Sequence, residues 1–490
     1  MHSHVNKFIE TAREELKNEQ SQMFLMMVSL GAPILRQIGM SSFPDIAAAE
    51  SYSRAIRADA IARLPELLEE FEKNAQSLGA KVLWAKDAAE ANNIILDIAN
   101  RRGVSYVMKG KSMITEEIGL NDHLIKNGVE VFETDLGEVI TQNLNLHPFH
   151  LVGPAINVPP EKISEVFLKK GIIKKASTDP VELGSGARKY LRDKFRNLQM
   201  GIVGVNMAVA ETGTIINVEN EGNIRLIKSS PKILVAIMSL EKVVPTIKDA
   251  IYMTRMLTRN CTGQKITSYM SMDTGPKKPD EQDGPEELFI IILDNGRSEI
   301  YRDFKTREIL KCIRCGACLN TCPVYTKIGG YPYGATYCGP VGQVLTPMLM
   351  GIENTTDLYR ACTLCGMCKQ ICPAGIDHPS LLLSYRARRI DIKKQKGRKT
   401  MQSRRENAVA SLISLGMSHE WLWNFGLKIT RPLMNSLAKD GYIGSIPMGA
   451  QGWFGCRDLR AIPAKTFHET WNDLPSLPEL SGNTSKKEDS

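Results

Sequence analysis

The chain has 490 residues, of which 43% are hydrophobic and 24% charged. That is the composition of a globular protein long enough for two to four domains with substantial cores, and it excludes a largely disordered chain. The net charge of +8 is mild for this length and does not by itself imply a nucleic-acid partner.

Residues 1–75 read as helical, with apolar residues at helical spacing through the Arg54–Arg63 stretch and LPELLEEFEKN. The start, MHSHVNKFIETAREELK, is polar and of mixed charge, so no secretory signal is expected. The run MFLMMVSLGAPILRQIGM carries Ser29, Gly31, Pro33 and Arg36. It reads as a buried or interface helix, too short and interrupted to span a bilayer. The expected location is the cytoplasm, with docking at the inner face of the membrane left open. A reducing compartment argues against disulfides.

Residues 76–300 alternate strand-like and helix-like segments. AKVLWA, SYVMKG and VEVFET read as strands, and DAAEANNIILDIANRRG and TEEIGLNDHLIKNG as helices. GIVGVNMAVAETGTIINV, KILVAIMSL and LFIIILDNG continue the pattern, and MSMDTGPKKPDEQDGPEE reads as a polar loop. The alternation predicts an α/β domain with a largely parallel sheet.

Residues 301–385 hold two copies of one cysteine pattern, C-x2-C-x2-C-x3-C-P. The first is Cys312, Cys315, Cys318 and Cys322 before Pro323; the second is Cys362, Cys365, Cys368 and Cys372 before Pro373. Three cysteines two residues apart wrap a tight loop around one face of a [4Fe–4S] cube, and the loop amides offset the charge of its sulfides. Gly316 and Gly366 let the backbone approach closely. The fourth cysteine of such a run reaches the other cluster. The expectation is two [4Fe–4S] clusters, one on Cys312, Cys315, Cys318 and Cys372, the other on Cys362, Cys365, Cys368 and Cys322. A zinc site takes separated CxxC pairs, which this spacing does not offer. Regular β propensity is poor around the motifs, so a mainly helical two-cluster module is expected. Cys261, Cys338 and Cys456 fit no ligand pattern and read as buried hydrophobes.

Residues 386–490 open with a basic run from Arg386 to Arg405, continue as amphipathic helices and end in a polar tail expected to be disordered. The basic run reads as a solvated face or linker; an acidic partner or anionic headgroups are the alternatives.

Within the α/β region, MKGKSMITEE places Lys109, Lys111 and Ser112 at a strand end before a helix, where open sheets bind ligands and lysines would suit an anion. A helix cap by Ser112 or Thr115 is an equal reading. AETGTI places Glu211, Thr212 and Thr214 beside Gly213, a weaker candidate site. His147 and His150 lack a third metal ligand and read as structural. Arg297, in the turn DNGR, reads as a structural salt-bridge residue. No G-x-G-x-x-G or P-loop pattern is present, which favours electron transfer over a self-sufficient dehydrogenase.

The stretches VMKGKSMITEEIGLN, ETDLGEVITQ, HPFHLVGPAIN, AETGTIINVENEGN and LDNGRSEIY, followed by the cysteine module and IPAKTFHETW, resemble the lactate utilization protein B family over nearly the full chain. The resemblance implies a LUD domain with a fold like ribose-phosphate isomerases, glucosamine-phosphate deaminases and CoA transferases. It implies the iron–sulfur subunit of an L-lactate dehydrogenase complex, with a cysteine-rich protein and a LUD-only protein as partners and a quinone or other respiratory carrier as acceptor. No nucleic acid is implied. A subunit of a heterodisulfide-reductase-like assembly, and a stand-alone LUD enzyme acting on an anion, are the alternatives. Cys338 is atypical of that family, in keeping with a non-ligand role.

Overall fold

The computed structural model describes residues 5–395, 401–445 and 457–471. The chain forms two compact units, residues 1–392 and 393–490.

At the centre of the first unit is a six-stranded, all-parallel sheet. Its strands are β1 (Lys81–Ala85), β2 (Tyr106–Lys109), β3 (Glu130–Glu133), β4 (Met200–Gly204), β7 (Ile233–Ser239) and β10 (Glu287–Leu293), in spatial order β1-β10-β7-β4-β2-β3. Helices cover both faces, so the central strands β7 and β10 are apolar apart from Ser239 and Glu287 at strand ends. In β10, Leu288, Ile290 and Ile292 face one core with Phe71 and Phe167, while Phe289, Ile291 and Leu293 face another with Ile95 and Leu124. The sequence runs KILVAIMSL and LFIIILDNG owe their continuity to this two-sided burial.

A second sheet of four short strands packs beside the first: β5 (Met207–Val209), β6 (Thr214–Glu219), β8 (Val243–Val244) and β9 (Tyr269–Asp273), in order β8-β5-β6-β9. The run GIVGVNMAVAETGTIINV is therefore three strands in two sheets. Asp273 and its predecessors pair with β6, so the front of the expected polar loop is a strand. The hairpin of β5 and β6 turns at Gly213, whose φ is +64° and whose missing Cβ would lie 2.3 Å from the Ala75 nitrogen. Only glycine fits there.

TEEIGLNDHLIKNG forms two helices, Met113–Glu117 and Leu120–Lys126, because Gly119 takes a left-handed conformation between them. The N-terminal region is helical as expected, over Phe8–Glu15, Glu19–Met40, Ile46–Ala62 and Leu64–Ser77. Here the sequence reading needs one correction. Gly31 and Pro33 do not interrupt the apolar run: Glu19–Met40 is a continuous helix of 22 residues, long and apolar enough by length and composition to cross a membrane. One side packs on the unit through Leu25, Gly39 and Met40, while Met23, Met27, Leu30, Ile34 and Ile38 are exposed.

The segment 307–378 contains helices and no strand, in agreement with a mainly helical cysteine module. The linking GGYPYGATYCGP stretch is ordered around buried Tyr325, Tyr333 and Tyr337. The start of the basic run is structural: Arg386 donates to the carbonyls of Tyr359 and Cys362, and Arg388 pairs with Asp303.

In the second unit, helices Met401–Ser418 and Glu420–Asn435 precede a two-stranded pairing of Tyr442–Ile443 with Leu459–Arg460. Asn435 exchanges hydrogen bonds with Ile462 backbone, which holds the IPAKTFHETW stretch against the second helix. The expected disordered tail and Cys456 lie outside the described residues, as does the middle of the basic run.

Candidate iron–sulfur centre and adjoining cavity

The two cysteine motifs repeat one backbone. Arg314 and Leu364, each following the first cysteine by two residues, have φ of +62° and +59°, and Gly316 and Gly366 have φ of +76° and +82°. Two left-handed residues in each loop turn successive amides inward. The Arg314 N–H reaches Cys312 Sγ at 3.4 Å, the Leu364 N–H reaches Cys362 Sγ at 3.3 Å, and the Ile376 N–H reaches Cys372 Sγ at 3.5 Å. A short helix follows each loop, Ala317–Asn320 and Met367–Gln370, and brings the third cysteine back.

The fourth cysteine of each motif lies near cysteines of the other motif. Cys372 interacts with Cys312, Cys315 and Cys318 of the first motif. Cys322 interacts with Cys362, Cys365 and Cys368 of the second. None of these cysteines is in a disulfide. Burial, with repulsion between neighbouring thiolates added to it, pushes the Cys368 thiol up to about 12 and the Cys372 thiol up to about 11. Gathering eight such thiols is costly unless a cationic iron core binds them as thiolates. The residues thus fit [4Fe–4S] groups. Burial differs between the motifs: Cys315, Cys322, Cys368 and Cys372 are buried, whereas Cys365 is exposed.

The first motif is anchored to the α/β domain by a buried ionic network. Arg297, with no side-chain exposure, meets Glu117 bidentately at 2.9 and 2.7 Å and Glu241 at 3.0 Å. Glu241 pairs in turn with Arg314 of the cysteine loop at 2.9 Å. Tyr337 donates to Glu117 at 2.6 Å. Burial disfavours the Glu241 carboxylate, yet Arg297 and then Arg314 overcome this and hold it at about 2. Arg57, also buried, donates to the carbonyls of Glu241, Val243, Leu310 and Lys311, which ties the entry of the module to the sheet. Charge-assisted bonds of this kind exceed neutral ones in strength.

A cavity of about 250 Å³ opens at the carboxyl ends of β2, β3, β4 and β7. Its wall is shared between the α/β domain, through Lys111, Asn206 and Lys242, and the cysteine module, through Arg314 and Tyr337. Cys261 also lines it. A crevice of about 10 Å³ beside it is lined by Arg57, Glu241, Lys242 and Cys312. This is where open parallel sheets bind ligands.

Lys111 and Ser112 reach this cavity; Lys109 does not. Lys109 is fully buried and ion-paired with Glu133 at 2.9 Å, Glu116 at 3.3 Å and Glu138 at 3.6 Å. β2 ends at Lys109, so Lys111 lies beyond the strand, in the turn that leads to helix Met113–Glu117. Ser112 does cap the helix Met113–Glu117, accepting from the Thr115 N–H at 3.4 Å. Glu211, Thr212 and Thr214 do not line the cavity. Glu211 accepts from the Ile247 N–H at 2.7 Å at the start of helix Ile247–Cys261, and Thr212 donates to Thr214. His150 is buried between the Val152 N–H and Asn320, so it joins the two domains. Cys338 is buried in one apolar cluster with Tyr325, Tyr333 and Val341, its thiol hydrogen-bonded with Tyr325. The sequence reading missed Arg57, Glu117, Glu241, Lys242, Arg314 and Tyr337 as functional candidates. Only Arg314 carried a local signal, its place inside a ligand loop.

The chain matches the LUD domain over residues 68–293 and the 4Fe-4S dicluster domain over residues 308–376. It is 39% identical over 468 residues to lactate utilization protein B of Macrococcus caseolyticus, covering 94% of this chain and 96% of that one. Identity to the proteins of that name from Bacillus licheniformis and Geobacillus thermodenitrificans is 38% and 39%, over 86% and 89% of this chain and 87% and 89% of theirs. The α/β domain is thus a LUD domain, the module after it binds [4Fe–4S] clusters, and the chain belongs to the lactate utilization protein B family.

Proposed function

We propose that this protein is the electron-transfer subunit of a multi-protein system that oxidises L-lactate to pyruvate and delivers electrons to a respiratory acceptor. The reading is supported by the nearness of Cys372 to the first motif and of Cys322 to the second. Cys312, Cys315, Cys318 and Cys372 would hold one cluster, and Cys362, Cys365, Cys368 and Cys322 the other. When bound, such a pair supplies one-electron transfer over a short gap.

The chain's own residues define two ends for that relay. No cysteine of the first motif is exposed, and Arg57, Arg314 and Lys242 place positive charge beside Cys312. Such charge raises the reduction potential of a nearby cluster. The second motif reaches the surface at Cys365 and Met367, a suitable exit toward a partner. The exposed stripe of Met23, Met27, Leu30, Ile34 and Ile38 supports a docked subunit. We assign a cysteine-rich protein and a LUD-only protein to these partner roles, and place the assembly in the cytoplasm. The cavity gives weight to a second reading, a LUD enzyme that acts by itself on an anion.

The test is anaerobic. The chain is purified with its co-expressed partners, L-lactate is added, and the clusters are followed by EPR and visible absorption. Reduction in the complex but not in the chain alone supports the relay. Clusters that respond to dithionite and not to L-lactate refute the lactate assignment.

A further inference from the structure

We infer that the cavity at the carboxyl edge of the parallel sheet is a binding site for a small carboxylate monoanion, held by Lys242 and Arg314. The cavity and its charge stand on geometry alone; the choice of a 2-hydroxy or 2-oxo acid as probe rests on the lactate reading above.

Two cations face this space with unused capacity. Lys242 makes no side-chain hydrogen bond or ion pair among the described residues. Arg314 has a side chain only 10% exposed and spends Nη2 on Glu241, while its buried Nη1 has no partner. Lys242 and Arg314 also repel one another. A buried guanidinium nitrogen without an acceptor is costly, and an anion between the two cations would satisfy both. Lys111, whose ammonium donates to the Val152 carbonyl, adds a third positive charge to the wall.

The helix ends around the cavity narrow the choice of anion. A phosphate is ordinarily taken by free amides at a helix N-terminus. Here four of those amides are already occupied. Ser112 accepts from Thr115, Asp135 accepts from Glu138 at 3.2 Å, and Glu219 accepts from Ile224 at 2.6 Å and Arg225 at 2.9 Å. Asp135, Glu219 and Glu221 moreover bring carboxylates to the same lining, which opposes a dianion more than a monoanion. What remains is a pair of side-chain cations among amides and hydroxyls such as Asn206, Gln264 and Thr258, a setting for one carboxylate and a neighbouring oxygen.

Lys242 and Arg314 lie beside Cys312 as well, so the rival account is that they serve only the cluster. Anaerobic calorimetric titration of the full, cluster-loaded chain separates the two. Pyruvate, L-lactate and inorganic phosphate are titrated in turn. We expect one site for pyruvate or L-lactate, at least tenfold weaker binding of phosphate, and a loss of about tenfold or more in Lys242→Gln, as for a removed charged hydrogen bond. In the unsubstituted chain, the bound acid should also slow iodoacetamide labelling of Cys261. Absence of carboxylate binding, phosphate binding as tight as the carboxylate, or unprotected Cys261 overturns the site. Because binding is read without turnover, the two proposals fail separately. Pyruvate bound while L-lactate leaves the clusters oxidised in the assembled system removes the lactate function and keeps the site. Lactate-driven reduction with no carboxylate bound to this chain does the reverse.

Discussion

Replacing Arg297 with Met removes the centre of the network that joins the cysteine loop to the sheet. Arg297 makes three close contacts with two carboxylates, and none of the three side chains has any exposure. The variant would leave Glu117 and Glu241 buried without their main counter-charge. Breaking a buried pair in this way costs about 3–5 kcal/mol, since the stranded charge keeps its desolvation penalty. In a unit of this size that corresponds to a fall in Tm of roughly 5–10 °C. The assay is thermal unfolding by circular dichroism of the cluster-loaded protein, with iron content measured in parallel. Arg102→Gln is the control. It breaks a pair with Glu287 whose side chains are 24% and 29% exposed, so it should cost less than about 1 kcal/mol. If Arg297→Met melts no lower than the control, the network does not carry the stability assigned to it here.

Further outcomes follow from the same geometry. Cys315→Ala should lose the iron of one cluster while the sheet stays folded, and Cys338→Ala should keep full iron; equal iron in both variants, by colorimetric assay, would contradict the ligand sets. Gly213→Ala should cost roughly 2–3 kcal/mol in denaturant unfolding, since strain at positive φ adds to overpacking against Ala75. Acid sensitivity should come in two steps. Burial holds His150 near 4, below its ordinary 6.5, so its contribution is intact above pH 6.5 and is lost as pH falls toward 4. Glu241, held at about 2 against an ordinary 4.5, contributes about 3 kcal/mol above pH 4.5, and this is lost as pH falls through 2. In Arg297→Met the second step should shrink and the first should persist.

The fold class was readable because it depends on local periodicity. Strands buried on both faces must be apolar throughout, and helices between them must be amphipathic, so β7, β10 and helix Ala88–Arg101 announced themselves. Where local signals competed, the reading slipped. Pro33 and Gly31 suggested a break, but the helix Glu19–Met40 runs through them, anchored by packing of Leu25, Gly39 and Met40. The second sheet was unreadable as a separate layer, since β5 and β6 differ from β4 only in which strands they meet.

By itself the sequence determined the iron chemistry. Eight cysteines at fixed short spacing form their loops locally, with glycine where the backbone must turn, and three ligands of each expected set come from one short run. What surrounds those loops was decided in three dimensions. Lys109 and Lys111 are two residues apart, yet one is sealed among carboxylates and the other lines a cavity. Arg57, Glu117, Glu241, Arg297 and Arg314 come from five distant segments and become one network only when the sheet and the module close on each other. Buried charge acquires meaning from its partners, and those partners are set by packing over hundreds of residues, beyond the reach of any local pattern.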